Sequence, residues 1–291
     1  SRNSLNYFIM PKFNNILVVG LGMMGGSLCK SIKKNKLSKK ISAFDTDHNA
    51  LSYALKNKII NYKVTDLGQM EQPDLVIICT PLSSYLSIVK KLLLKLNKNT
   101  LVTDIGSSKG GTHRTIKKLF HDANKSFLSS HPMVGSEKSG VKFTRKDMYK
   151  NKVVFILDKD SASRASYLKL KSFWEAIGSI THEIDSKTHD LLMSQTSHIA
   201  HLMSFIFVKS LPQNILNDNL PLLLGGGIKE HIRLSKSNPQ MWTDIFLNNK
   251  NNIIKTLTRI QKNTATMKSM IQTSKKTEIK SLLKNIYNKT K

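Results

Sequence analysis

The ten residues His131-Pro132-Met133-Val134-Gly135-Ser136-Glu137-Lys138-Ser139-Gly140 place an imidazole, a rigid proline, two glycines and a Glu-Lys pair in one turn-rich segment. Such a composition makes a poor core, and loops of this kind carry function when a scaffold holds them. An imidazole titrates near neutral pH, so His131 could exchange a proton with a substrate. A lone histidine in such a loop more often caps a strand, so its neighbours must decide. One neighbour is Asp104-Ile105-Gly106-Ser107-Ser108-Lys109-Gly110, which gathers an acid, two hydroxyls and a lysine. Another is Gly20-Leu21-Gly22-Met23-Met24-Gly25. Its glycines have the spacing that permits a tight turn, close approach of a pyrophosphate, and close helix packing.

These segments need elements to hold them. Asn15–Gly20 (NILVVG) is an apolar, β-branched run that reads as a buried strand, and a helix is expected from Met24 to Lys36. Ile41–Asp45 reads as a second strand, and Asp47 as the cap of a helix over His48–Lys58. Further strands are expected at Asp74–Thr80, Leu101–Ile105, Phe127–Ser130, Lys152–Leu157 and Ser179–Ile184, with helices over Ser83–Leu96, Lys109–His121 and Ser161–Ile177 between them. Strands alternating with helices predict a doubly wound parallel sheet of Rossmann type. After Asp185 the pattern is helical over Ser186–Lys209, Asn214–Leu224, Gly226–Ser235 and Pro239–Thr273, and Thr273–Lys291 reads as a basic amphipathic helix. The fold expected is therefore α/β, with a dinucleotide-binding domain over 12–185 and an all-α domain over 186–291.

The strand before the glycine loop, the helix after it and the acid ending the second strand together point to a dinucleotide. Gly20, Gly22, Met23, Met24 and Gly25 would line its pyrophosphate at the start of a helix, where free N–H groups and the dipole favour an anion. Asp45 stands roughly 20 residues on, where a carboxylate accepts from a ribose hydroxyl and repels a 2′-phosphate. That favours NAD over NADP, although Lys33, Lys34, Lys39 and Lys40 lie near in sequence. Thr80 and Pro81 end the third strand at the sheet edge where such folds bind ligands. Ser107 and His131 are expected at the same edge.

The chain has 291 residues, 40% of them hydrophobic. No apolar run approaches the roughly 18 residues of a membrane span, and Ser1–Pro11 lacks the pattern of a signal peptide. Cys29 and Cys79 read as core residues of a reducing compartment, and no metal site is read. A cytoplasmic enzyme is expected. Forty-six Lys and Arg against 19 acids give a formal charge of +27. The lysines are spread along the chain among asparagines and accompany no recognition motif, so no specific nucleic-acid partner is expected.

Six ordered blocks give the chain a resemblance to the prephenate dehydrogenases, a family that includes arogenate and cyclohexadienyl dehydrogenases of tyrosine biosynthesis. They are GLGMMGGSL (20–28), AFD (43–45), DIGSSKG (104–110), HPMVGSEKSG (131–140), HDLLMSQTSHIAH (189–201) and GIKEHIRLSKSNPQMW (227–242). The resemblance implies oxidative decarboxylation of a cyclohexadienyl substrate with hydride transfer from a ring carbinol. His131 matches the family's catalytic histidine. Ser107 matches the serine that orients this histidine and the substrate hydroxyl near the nicotinamide.

Arg233 matches the arginine that grips a substrate carboxylate, and a guanidinium suits that task by donating two parallel bonds. Ser197 and His201 match substrate-binding positions, and Lys229 and Glu230 match positions near the arginine, where they could pair across a dimer. Glu137 matches an acid at the substrate entrance. His198 reads as structural; His48, His113, His121 and His182 read as solvated. The resemblance further implies a small anionic substrate and a homodimer formed through the helical half.

Arogenate, or both substrates, remain open because no residue clearly reads the side-chain amine. A β-hydroxyacid dehydrogenase is a more distant possibility, but such enzymes place an asparagine one helical turn after a catalytic lysine, and Lys229 is followed there by Arg233. A basic binding protein that retains a dinucleotide fold is the non-enzyme reading. Neither end is expected to carry a further domain, so tyrosine feedback would act at the active site.

Overall fold

A computed structural model describes residues 12–135, 138–212 and 225–291. Its first half is a six-stranded parallel sheet in the order β3-β2-β1-β4-β5-β6. The strands are β1 (Phe13–Val19), β2 (Ser38–Phe44), β3 (Tyr62–Val64), β4 (Leu75–Ile78), β5 (Leu101–Asp104) and β6 (Ser126–Phe127). Helices α1 (Met23–Lys34), α2 (His48–Lys56), α3 (Tyr85–Leu93) and α4 (Gly111–Asp122) make the crossovers. The order reverses between β1 and β4, so a crevice opens at their carboxyl ends, where Gly20 and Thr80 stand.

Alternation along β1 explains why helices cover both faces. Ile16 and Val18 join a core with Leu28, Cys29 and Ile32 of α1. Leu17 and Val19 join the opposite core with Val89 and Leu92 of α3 and Ile116 and Phe120 of α4. Trp242 and Ile245 from the helical half pack into that second core. Asp47 caps α2 by accepting from the Asn49 and Ala50 N–H groups, as its type and position predict.

The later strands depart from the single parallel sheet expected from the sequence. β7 (Ser130–Pro132), β8 (Val153–Leu157) and β9 (Ile180–Ile184) form a separate sheet, with β7 antiparallel and β9 parallel to β8. Helix α5 (Arg164–Ala176) links the last two. The expected strand over Phe127–Ser130 is thus divided between two sheets. The division follows from Asp104: the Ser129 hydroxyl donates to its carboxylate, and the Ser130 hydroxyl donates to its carbonyl at 2.7 Å. His131 consequently lies within β7, opposite Phe155, rather than at the end of a parallel strand. The short strand β3 has no counterpart in the sequence reading.

The second half comprises α6 (Ser186–Met193), a π-helical turn over Ser194–His198, α7 (Ile199–Lys209), α8 (Gly226–Ser235), α9 (Pro239–Asn248), α10 (Lys250–Gln272) and α11 (Lys276–Lys289). No strand occurs here among the described residues. The helix expected over Asn214–Leu224 lies outside them, as does Ser1–Pro11. Asp158, at the end of β8, clasps the start of α6: it accepts from the Ser186 amide at 2.8 Å and from Lys117 Nζ at 2.7 Å.

Helix 186–209 has a mean hydropathy of 1.3 in its most apolar window, so by length and composition it is long and apolar enough to cross a membrane. Individual apolar runs do not reveal this, because polar residues interrupt them. Those polar residues, His189, Asp190, Ser194 and His198, are buried.

Candidate active site

The glycine loop has the geometry its sequence predicts. Gly20 turns at φ +100°, and a Cβ there would lie 2.9 Å from the Cys79 carbonyl group. A Cβ on Gly25 would lie 1.9 Å from the Gly20 oxygen, so α1 can approach the turn only with glycine at that position. Gly22 faces open space and caps α1 with no side-chain hydrogen bond, which leaves the helix start available to an anion. Met23 and Met24 begin that helix.

The Asp45 carboxylate lies against the loop, accepting from the Leu21 N–H at 2.5 Å and the Asp47 N–H at 2.8 Å. Thr80 reaches the same turn, with its hydroxyl buried and without a hydrogen-bond partner among the described residues, and Pro81 follows it. An uncapped helix start, an open glycine, an acid at the end of β2 and an orphaned hydroxyl fit a dinucleotide.

Beyond β5 the site rests on a buried ion pair. Lys109 Nζ donates to Asp104 Oδ2 at 2.7 Å and to the Ser130 carbonyl at 2.9 Å, and both charged side chains are essentially inaccessible. The Gly106 amide also donates to Asp104 Oδ2 at 2.9 Å. Burial opposes the Asp104 charge, but the Lys109 ammonium, His113 and the bonds from Lys109 and Ser129 together hold its carboxyl below the ordinary value. This knot fixes the loop bearing Ser107 to the strand bearing His131.

His131 is buried, and its Nδ1 lies 2.8 Å from His189 Nε2. His189 Nδ1 lies 2.9 Å from Asp190 Oδ1, which also accepts from the Lys109 amide at 2.8 Å. Burial, followed by the charges of His189, Lys109 and His198, pushes the His131 pKa well below the ordinary 6.5. The imidazole is therefore neutral at physiological pH and able to accept a proton. Ser107 makes no hydrogen bond to His131 here; His189 is the partner of its ring.

His198 closes the site from the π turn. Its Nδ1 faces Asn249 Nδ2 at 3.2 Å, and that amide also donates to the Asp190 carbonyl at 2.7 Å. Burial lowers the His198 pKa to about 4, against the opposing effects of the Asp190 charge and the Ser107 backbone. One helical turn on, His201 stacks on Trp242 with ring centroids 3.8 Å apart, and its Nδ1 faces the Ser197 carbonyl at 3.1 Å.

Arg233 lies close enough to His201 to help lower its pKa, after burial. Its guanidinium donates twice to Glu230, at 2.8 and 2.6 Å, on the same exposed face of α8 as Lys229. Glu230 therefore pairs within its own chain. Glu137 lies outside the described residues.

Sequence reasoning misses Asp104, Lys109, His189, Asp190 and Asn249, although the first four stand in motifs already noted. It also misjudges His113, which is buried beside Phe127 with a pKa lowered by burial to about 4. Helical periodicity carried the signal: His113, Ile116 and Phe120 share the inward face of α4.

Residues 28–182 match the model of the prephenate dehydrogenase nucleotide-binding domain, and residues 185–285 that of the prephenate dehydrogenase dimerization domain. The chain belongs to the prephenate dehydrogenase family. It is 29% identical over 247 residues to the prephenate dehydrogenase of Bacillus subtilis, covering 83% of this chain and 66% of that one. It thus spans just under two-thirds of that curated relative.

Among solved structures, the prephenate dehydrogenase of Aquifex aeolicus in complex with hydroxyphenyl propionate and NAD+ is 30% identical. The two superpose with a TM-score of 0.86 over 95% of this chain and 97% of that one. The Synechocystis arogenate dehydrogenase shares the fold at a TM-score of 0.77 and 20% identity, over 95% and 98% of the two chains. Prephenate dehydrogenase domains thus account for both halves of the architecture: a Rossmann sheet and a helical region.

Proposed function

We propose that this chain oxidises and decarboxylates prephenate to 4-hydroxyphenylpyruvate with NAD, as a cytoplasmic homodimer. The observation that carries this reading is His131: a buried imidazole held neutral, standing between the dinucleotide loop and the helical half. A bound nicotinamide would accept the hydride. This chain's own residues do the rest.

The His131 ring accepts the proton of the ring hydroxyl as the carbinol carbon gives up its hydride. Ser107, its hydroxyl without a protein partner among the described residues, sits on the adjoining loop to orient that substrate hydroxyl. Gly20, Gly22, Met23, Met24 and Gly25 would hold the pyrophosphate, Asp45 the ribose, and Thr80 and Pro81 would border the nicotinamide. Decarboxylation needs little assistance because it makes the ring aromatic.

Prephenate carries two carboxylates, which suits Arg233 and Lys229 on α8, with His201 and Ser197 completing the substrate pocket; the part of Glu137, as an acid at the substrate entrance, rests on the family resemblance alone. The Arg233–Glu230 pair is 54% and 57% exposed, and exposed pairs of this kind are worth at most about 1 kcal/mol. A substrate carboxylate can therefore share or take over the guanidinium at little cost. Arg233→Gln is expected to raise KM roughly tenfold to a hundredfold with kcat little changed, the effect of losing a charged hydrogen bond. An unchanged KM in steady-state kinetics would place the carboxylate clamp elsewhere.

The apolar side chains left exposed on the helical half, among them Leu191, Leu192, Ile206 and Phe207, supply a surface for a second copy. The domain boundary falls near Asp185, where the clasp by Asp158 joins the two halves. One assay tests the whole reading: NADH and NADPH formation with prephenate and with arogenate, each with NAD and with NADP. Prephenate with NAD is expected to be the best pair. Tighter binding of NADP than NAD would overturn the role given to Asp45, and no turnover with either acid would overturn the enzyme reading.

A further inference from the structure

An imidazole that accepts a proton from substrate must present a bare nitrogen, and a neutral imidazole has two tautomers. The hydrogen bonds around His131 choose between them, and the choice can be traced donor by donor. The Lys109 amide can only donate, and it donates to Asp190 Oδ1. An ionised carboxylate only accepts, so His189 Nδ1, 2.9 Å from the same oxygen, must carry the hydrogen. The single N–H of neutral His189 is then spent, and its Nε2 has a lone pair. His131 Nδ1, 2.8 Å away, must therefore be the donor. That leaves His131 Nε2 bare.

We propose that His189 and Asp190 are positioning residues which lock His131 in the tautomer with Nε2 unprotonated, and that the Asp190 charge steadies the imidazolium formed when Nε2 takes the substrate proton. The logic is that of an acid orienting a catalytic histidine, with a second imidazole interposed. The use of Nε2 as base rests on the function proposed above; the tautomer itself does not.

The proton balance defines what the pair must do. The carbinol C–H leaves as hydride to the dinucleotide, the O–H proton passes to His131 Nε2, and a ring carbonyl forms. The bond to the ring carboxylate then breaks, CO2 departs, and its electron pair aromatises the ring to a phenolate. The phenolate oxygen recovers the proton from Nε2. Hydride transfer and CO2 loss together release no net proton, so nothing has to be exported through His189. The pair is needed for orientation and for a transient charge.

The charged and titratable groups facing His131 agree with this. Burial, then His189, Lys109 from the loop after β5 and His198 from the π turn, favour its neutral form, while Asp190 and Asp104 act on His189, where they oppose the lowering by burial.

The test uses 15N-histidine NMR of the protein without cofactor, with the His131 resonances identified from a His131→Asn sample, alongside kinetics of His189→Phe, His189→Gln and Asp190→Asn. In the wild type, His131 is expected to show a protonated Nδ1 and a bare Nε2. His189→Phe removes the acceptor and should lower kcat about a hundredfold, with KM and NAD affinity within about threefold. His189→Gln restores a carbonyl acceptor and should recover about tenfold of that loss. Asp190→Asn keeps an acceptor oxygen but loses the charge, so the acidic limb of the kcat–pH profile should move to lower pH.

A protonated Nε2 in the wild type would overturn the proposal, as would wild-type kcat and pH profile in His189→Phe. Equal losses of kcat, substrate binding and NAD affinity in that variant would reduce His189 to a packing role. A wild type inactive on both cyclohexadienyl acids would overturn the proposed function instead, and the NMR result would still decide the tautomer.

Discussion

His131→Asn is expected to lower kcat about a thousandfold, within the range that loss of a general base produces. Asparagine is polar and smaller, so the β7–β8 pairing and the hydrogen-bonding character of the position survive, but an amide cannot accept a proton near neutral pH. The glycine loop, α1 and Asp45 do not depend on His131, so NAD affinity should stay within about twofold. Calorimetric titration with NAD and steady-state kinetics on one preparation separate the two effects. In the wild type, kcat/KM should fall only as the pH drops well below 6.5, because burial and neighbouring cations keep His131 neutral to lower pH. Unchanged turnover in His131→Asn would remove it from the chemistry altogether.

Lys109→Met is expected to cost about 3–5 kcal/mol of stability, the usual penalty for stranding one partner of a buried ion pair. Methionine nearly matches the lysine in length, so the loss is electrostatic: Asp104 keeps its charge without the ammonium 2.7 Å away, and the Ser130 carbonyl loses its donor. Urea unfolding should show a lower midpoint at constant m value.

The pH dependence has a definite sign. With Lys109 present, the Asp104 pKa lies below the ordinary 3.8, so its contribution to stability is full above that value and is lost as the pH falls through the folded pKa. Without Lys109, burial raises that pKa instead. The deficit of the variant should therefore shrink in acid as Asp104 protonates. Asp104→Asn combined with Lys109→Met should recover part of the loss, since removing both charges costs less than removing one. A single variant within about 1 kcal/mol of the wild type would show that the pair does not hold the loop.

The parallel sheet and its cofactor loop were legible because they are local. The run NILVVG, the glycine spacing and Asp45 lie within some thirty residues, and each follows from backbone sterics or periodicity. His131 was legible as a residue but not as a position, because β7 is three residues long and its partners lie more than twenty residues on. The second sheet escaped for that reason: nothing in Ser126–Pro132 announces that Asp104 pulls two serine hydroxyls toward itself and breaks the strand in two.

His189 and Asp190 escaped differently. Their neighbours suggest an amphipathic helix, on which an inward histidine is ordinarily core, and only the fold brings His189 to His131 across 58 residues. Lys109 was legible only as one polar member of the Asp104–Gly110 cluster, not as a buried cation. Its burial depends on two carboxylates that converge only in three dimensions.

The π turn at Ser194–His198, marked by the Ile199 amide reaching back five residues to the Ser194 carbonyl, adds one residue to an otherwise regular helix. Everything after it is rotated by about one residue step, roughly 100°, relative to an uninterrupted α-helix. Before the turn, His189 and Asp190 point into the sheet domain; after it, His201 faces Trp242 on α9. A single rigid rod could not aim both sets with an unbroken helical phase. The count of residues in that turn, more than the identity of any one of them, sets the angle between the end of the helix that carries His189 and Asp190 and the end that carries His201.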